Sequence, residues 1–167
     1  MKGQFGHTSV LVYNACEFVN QELTSTPVDA IEKANRSNLS GAVYATRAAA
    51  QQMTERGSGT ILLVGNVLAR HGAGKMNLSD WPADFSENMA LTSMGQASLS
   101  GFSASVSREL GTKGIHVAHV VVEGSVKDTK VPAMNPNSVA DAFMFLHQQE
   151  KGGWTTEMDL RPSTESF

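Results

Sequence analysis

The chain has 167 residues and a formal charge of -3 at neutral pH, and a chain of this length can bury roughly 70% of its unfolded surface in one ordinary core. Acids and bases are scattered, with no basic run of the kind phosphate backbones require, so nucleic acid is not an expected partner. The single cysteine, Cys16, rules out an intrachain disulfide and fits a reducing, cytoplasmic setting. It reads either as a reactive thiol or as a bystander. The first apolar run, Val10 to Tyr13, falls far below the ~20 residues of a membrane span, so neither signal peptide nor anchor is expected.

Ser9-Val-Leu-Val-Tyr13 is short, apolar and β-branched, which reads as a fully buried strand. Thr24-Ser-Thr-Pro27 supplies capping hydroxyls and a proline suited to an opening turn, and a long helix is expected from about Val28 to Arg56. Its weakest stretch, Asn35 to Asn38, is where a kink is expected. Gly57-Ser-Gly59 closes the helix through a left-handed cap. Thr60 to Val64 repeats the strand pattern, and a long polar loop is expected from Gly65 to about Ser86. Such loops serve as lids or binding loops or are disordered. Trp81 within it either pins the loop or touches a ligand.

Helical spacing returns from about Glu87 to Leu110, through Met89, Leu91, Met94, Leu99, Phe102 and Val106, with Gly111 as its close. Ile115 to Val122 is a strand, Asn137 to Gln149 a helix capped by Asn137 or Ser138, and Trp154 to Leu160 a final strand. The order β-α-β-α-β-α-β predicts a three-layer α/β/α fold, Rossmann-like, with a mostly parallel sheet covered by helices on both faces. Residues 1–167 read as one domain.

Several of these elements carry family features in order. Leu11-Val-Tyr-Asn14-Ala15 is similar to a strand ending in Asn-Asn-Ala-Gly, with Tyr13 and Cys16 in place of the first Asn and the Gly. Asn38-Leu-Ser-Gly41, Gly57-Ser-Gly59-Thr60-Ile61, Gly101-Phe102 and Ser107-Arg-Glu-Leu110 through Ile115-His-Val follow. So does the ending Trp154-Thr with Glu157-Met-Asp-Leu-Arg-Pro162. Together they resemble the short-chain dehydrogenase/reductase family from its fourth strand onward. The resemblance implies that the family's glycine-rich nucleotide-binding front has no counterpart here, leaving a truncated Rossmann-like fold.

In that family a nicotinamide cofactor exchanges hydride with a carbonyl while a tyrosine moves the proton. A lysine four residues on, sharing the helix face, favours the phenolate, and a serine orients the carbonyl. Aligned to this pattern, Thr92 stands at the tyrosine position, Gln96 at the lysine and Asn66 at the serine, while Asn38 keeps the family's helix asparagine. Threonine cannot deliver a proton as a phenol does, and glutamine brings no charge. Asn38 reads equally as a helix residue whose amide bonds a backbone group, and Asn66 as the cap of a turn. Tyr13 and Tyr44 are the remaining phenols, and neither has a lysine at suitable local spacing.

The residual cofactor positions implied by the resemblance are Asn14, Ala15, Glu123 and Gly124, the last two in Glu123-Gly124-Ser125-Val126, where the family has a Pro-Gly turn. Gly72-Ala-Gly74-Lys75 fails as a phosphate loop, because Ala69 and Met76 occupy its required glycine and hydroxyl positions. His116 and His119, three apart on a strand, point to opposite faces and hold no metal; core-edge and surface roles are expected.

The expectation is thus a non-catalytic binding or interaction module with no cofactor for the isolated chain. The alternative is an NAD(P)-dependent oxidoreductase acting on a carbonyl or alcohol, with an atypical or partner-completed site. A small-molecule ligand remains open. The family's sheet order makes the first strand here a central one, so its edge is bare. That edge, or the two long helices the family uses for dimers, is expected to bring copies together in a homo-oligomer, at least a dimer.

Overall fold

The computed structural model describes residues 6–71, 88–124, 126 and 134–163. The loop reading beyond His71, with Trp81 and Gly72-Ala-Gly74-Lys75, lies outside these residues, as do Glu87 and Ser125.

Four parallel strands, β1 (Val10–Tyr13), β2 (Gly59–Gly65), β3 (Ile115–Val122) and β4 (Glu157–Leu160), pair in chain order as β1-β2-β3-β4. Parallel neighbours require crossovers. These are supplied by α1 (Val28–Asn35) and α2 (Gly41–Arg56), then α3 (Leu68–His71) and α4 (Ala90–Gly111), then α5 (Pro136–Gln148). The result is a Rossmann-like α/β/α arrangement.

Alternation along the strands divides the core. Ile61, Leu63, Ile115 and Val117 turn to Met53 of α2 and Leu99 of α4. Leu62, Ala118 and Val120 turn the other way, onto Leu146 of α5. The central strand β3 is therefore covered on both faces, and seven of its eight residues are buried. A third, smaller cluster joins Val19 to Ala34 of α1 and Leu91 of α4. Among the described residues no helix is long and apolar enough to cross a membrane.

The long helix is interrupted where its sequence is weakest. Arg36–Ser40 adopts a π-helical turn between α1 and α2. The Tyr13 hydroxyl donates to the Ser37 carbonyl within that turn at 2.5 Å, and a side chain on Gly41 would strike the same hydroxyl. Helix α2 ends at Gly57, whose φ of 66° is left-handed.

Other expectations need correction. Strand β1 is not fully buried: Val12 is 45% exposed, because β1 forms the sheet edge. The residue that opens α1 is Pro27, which has no acceptor side chain, while the hydroxyls of Ser25 and Thr26 bond back to the Glu22 carbonyl. The N-cap of α5 is Asn135, not Asn137 or Ser138; its side chain accepts from the Asn137 N–H at 2.8 Å, with Pro136 opening the helix. Gly111 continues α4, and the turn into β3 uses Gly114 at φ 80°. His119 is buried rather than on the surface, since it faces α4 across the sheet. The last strand starts at Glu157, later than Trp154, because the preceding residues form a turn.

Gly57→Ala tests the cap. A β-carbon at this left-handed position should lower unfolding stability by about 1 kcal/mol, with the denaturant slope unchanged, as read by urea titration.

Candidate functional site

The loop leaving β1, Asn14 to Asn20, runs beneath the start of α4 and beside the π turn. Its backbone would have no ladder partner there, and two buried side chains take that role. Asn38, 3% exposed, accepts the Glu17 N–H at 2.6 Å on Oδ1 and donates from Nδ2 to the Glu17 carbonyl at 2.9 Å. Thr92, fully buried, accepts the Val19 N–H at 2.9 Å on Oγ1 and donates the same hydroxyl to the Val19 carbonyl at 3.3 Å. Each side chain imitates the two hydrogen bonds a neighbouring strand would make. Gly95 lets the helix approach: a β-carbon there would meet the Asn38 side chain.

One turn further along α4, Gln96 links the ends of two strands. Its Oε1 accepts the Asn66 N–H at 3.1 Å, and its Nε2 donates to the Cys16 sulfur at 3.5 Å. Asn66 turns its own side chain away, accepting the Leu68 N–H at 3.0 Å and so opening α3. The structure therefore gathers Asn38, Thr92 and Gln96 around Cys16 to Val19, with Asn66 joined through Gln96. A phenol in place of Thr92 would have to enter the volume that the Val19 backbone fills.

The cofactor positions do not converge in the same way. Asn14 and Ala15 are exposed just beyond β1. Glu123 and Gly124 follow β3, where Glu123 is buried, its N–H donates to the Leu160 carbonyl at 2.9 Å, and Gly124 has a φ of 77°. Tyr13 is committed to the Ser37 carbonyl. Desolvation, then the nearby Cys16, push its phenol above the ordinary range, so it keeps its proton. Tyr44 lies on the outer face of α2, 69% exposed.

Two participants carried no motif. The Glu17 and Val19 backbone could be inferred only from the coincidence of buried polar residues on two helices. The second is a network at the same end of the sheet, where His119 Nδ1 meets Glu157 at 3.2 Å and Arg70 bridges Glu157 and Asp159. Among the described residues the His119 Nε2 is buried without a hydrogen-bond partner, and it lies against Gly65, where a β-carbon would collide with it. His116 lies on the opposite face of β3, as expected from their spacing.

Residues 1–78 match the family model described as short chain dehydrogenase. Among solved structures, the chain resembles a short-chain dehydrogenase from Rhodopseudomonas palustris, with 27% identity and a TM-score of 0.74 over 92% of this chain. It spans 62% of that protein's length. Serine dehydrogenase from Escherichia coli matches at a TM-score of 0.78 and 20% identity, over 100% of this chain and 69% of that one. A metagenomic short-chain oxidoreductase in complex with NADP matches at 0.78 and 20%, over 97% and 65%.

Two measurements follow from the geometry. Thr92→Val strands a buried N–H and a buried carbonyl on Val19, so it should cost about 1–3 kcal/mol of unfolding stability, whereas Thr92→Ser should recover most of the loss. For Cys16, desolvation raises the thiol, Gln96 lowers it and Glu17 raises it, with a net upward shift. A raised thiol holds less thiolate at a given pH. Alkylation should therefore run slower than for free cysteine near neutrality, with its pH profile displaced upward, and Glu17→Gln should quicken it.

Proposed function

This chain belongs to the short-chain dehydrogenase family, and from that premise we propose that by itself it serves as a non-catalytic binding or oligomeric interaction module, with no resident cofactor. The observation that carries the reading is the use made of the polar side chains at the family's catalytic positions. Thr92, at the tyrosine position, spends its hydroxyl on both polar groups of Val19. Asn38 spends its amide on both polar groups of Glu17. Gln96, at the lysine position, carries no charge to hold a ribose or lower a neighbouring proton's affinity. A redox step needs a positioned donor or acceptor of the carbonyl's proton. Here the groups nearest that role act as staples.

The second reading is favoured by the company the fold keeps. Proteins of this shape include named dehydrogenases, and some of their structures hold NADP. On this reading the chain is part of an NAD(P)-dependent oxidoreductase acting on a carbonyl or alcohol, completed by a segment or partner that supplies the nucleotide-binding half. Asn14, Ala15, Glu123 and Gly124 would then border the cofactor.

Self-association belongs to the first reading. Among the described residues no further strand pairs with the outer edge of β1, where Val12 is exposed, and such edges recruit further chains. A second surface is the groove of about 990 Å³ between α2 and α4, lined by Val43, Ala50, Phe102 and Val106 with Arg47 and Glu109. A homo-oligomer, at least a dimer, in a cytoplasmic setting is the assembly these surfaces fit.

Calorimetric titration with NADPH, followed by assay against a panel of aldehydes and ketones, separates the readings. The first expects neither heat of binding nor turnover; binding with turnover would replace it by the second. Sedimentation at micromolar concentration should give a dimer or larger species, and a folded monomer there would remove the assembly.

A further inference from the structure

Tyr13 closes β1, and its surroundings fix where the ring lies. Its backbone is in register with Leu63 of β2, and its side chain packs on the core cluster shared by Leu63, Ala42 and Leu99. The phenol oxygen is therefore a set point in the frame of the sheet. It reaches the Ser37 carbonyl at 2.5 Å, inside the π turn that joins α1 to α2.

The bonds of that turn show why a donor is wanted there. The Gly41 N–H reaches back five residues, to the Arg36 carbonyl. Within α2 the spacing returns to four, so the next N–H, that of Ala42, falls to the Asn38 carbonyl. A change from five-residue to four-residue spacing passes over one carbonyl. The one passed over is Ser37, and a backbone acceptor left without a donor away from water is costly. Tyr13 supplies the donor from the sheet, across Gly41, where a β-carbon would collide with the phenol oxygen.

We infer that Tyr13 is a positioning residue: by bonding the carbonyl that the π turn bypasses, it holds that turn in its five-residue register and so sets the rotation of α1 relative to α2. Without the turn's additional residue, α1 would rotate by about 100° and shift by ~1.5 Å along the axis against α2. Its inner face would then leave its contacts. That face carries Ala34, 1% exposed, and Ile31 against Val19 and Leu91, while Lys33 pairs with Glu17 at 2.6 Å. Glu17 and Val19 are the loop residues whose backbone Asn38 and Thr92 hold. The strand that feeds the loop thus also orients the helix that flanks it. The role is the same whether the chain is a module or part of an oxidoreductase.

Asn38 grips Glu17 from the same turn, and the test separates its hold from that of Tyr13. Scalar couplings across hydrogen bonds, read by NMR on the labelled full chain, report the acceptor of the N–H at position 41. In the wild type the coupling should fall on the Arg36 carbonyl, and a coupling to Ser37 there would overturn the inference at once. Tyr13→Phe keeps the ring and removes the donor. The coupling should move from Arg36 to Ser37, and the cross-relaxation contacts of Ile31 and Ala34 with Val19 and Leu91 should be lost. A coupling that stays on Arg36 would show the grip of Asn38 to be sufficient and overturn the role of Tyr13. Gly41→Ala, which keeps the phenol but displaces it, should move the acceptor in the same direction and carries the test if Tyr13→Phe fails to fold. Retention of Arg36 in that variant would overturn the role equally.

Discussion

The interior depends on how four backbone groups are satisfied: the N–H and C=O of Glu17 and of Val19. They lie in a loop just past a strand end, where no further strand runs alongside, and buried backbone groups without partners are costly. Asn38 from the π turn and Thr92 from α4 supply all four bonds. Because each side chain pairs a donor and an acceptor at once, the two helices are tied to the same stretch of chain. The Val19 side chain then enters the small cluster with Ala34 and Leu91.

This arrangement connects the proposed lack of chemistry to stability. On the proposed reading, Thr92 and Asn38 at the family-equivalent positions are also the residues that hold the loop, so a substitution that removes their paired hydrogen bonds disturbs the floor of the site as well. The Gln96 bridge extends the same logic to Asn66 and Cys16. Fold and site are one hydrogen-bonded system at this end of the sheet.

The sheet was readable wherever burial governs the residues. Ile115 to Val122 is apolar apart from two histidines, and its bounds emerge unchanged because both of its faces are covered. Gly57 and the weak stretch around Asn35 to Asn38 were equally plain, since left-handed caps and helix defects depend on local chemistry. Tertiary choices were less visible. Nothing in Val10 to Tyr13 tells an edge strand from a central one, and the cap expected at Asn137 or Ser138 falls instead at Asn135, because Pro136 opens the helix. His119 looked like a surface residue because its partner Glu157 lies far along the chain. At the site, the spacing of Thr92 and Gln96 placed both on one buried helical face, but the backbone groups they serve leave no mark in residue type.

The all-parallel pairing also bears on how the chain reaches this state. With no hairpin anywhere in the four-stranded sheet, every strand must wait for a crossover to be synthesised and docked before it gains a neighbour. Such non-local pairing is slow to close. Strand β1, at the rim, gains its neighbour β2 only once α1 and α2 have folded back across the sheet, so its apolar residues stay uncovered until that crossover has docked.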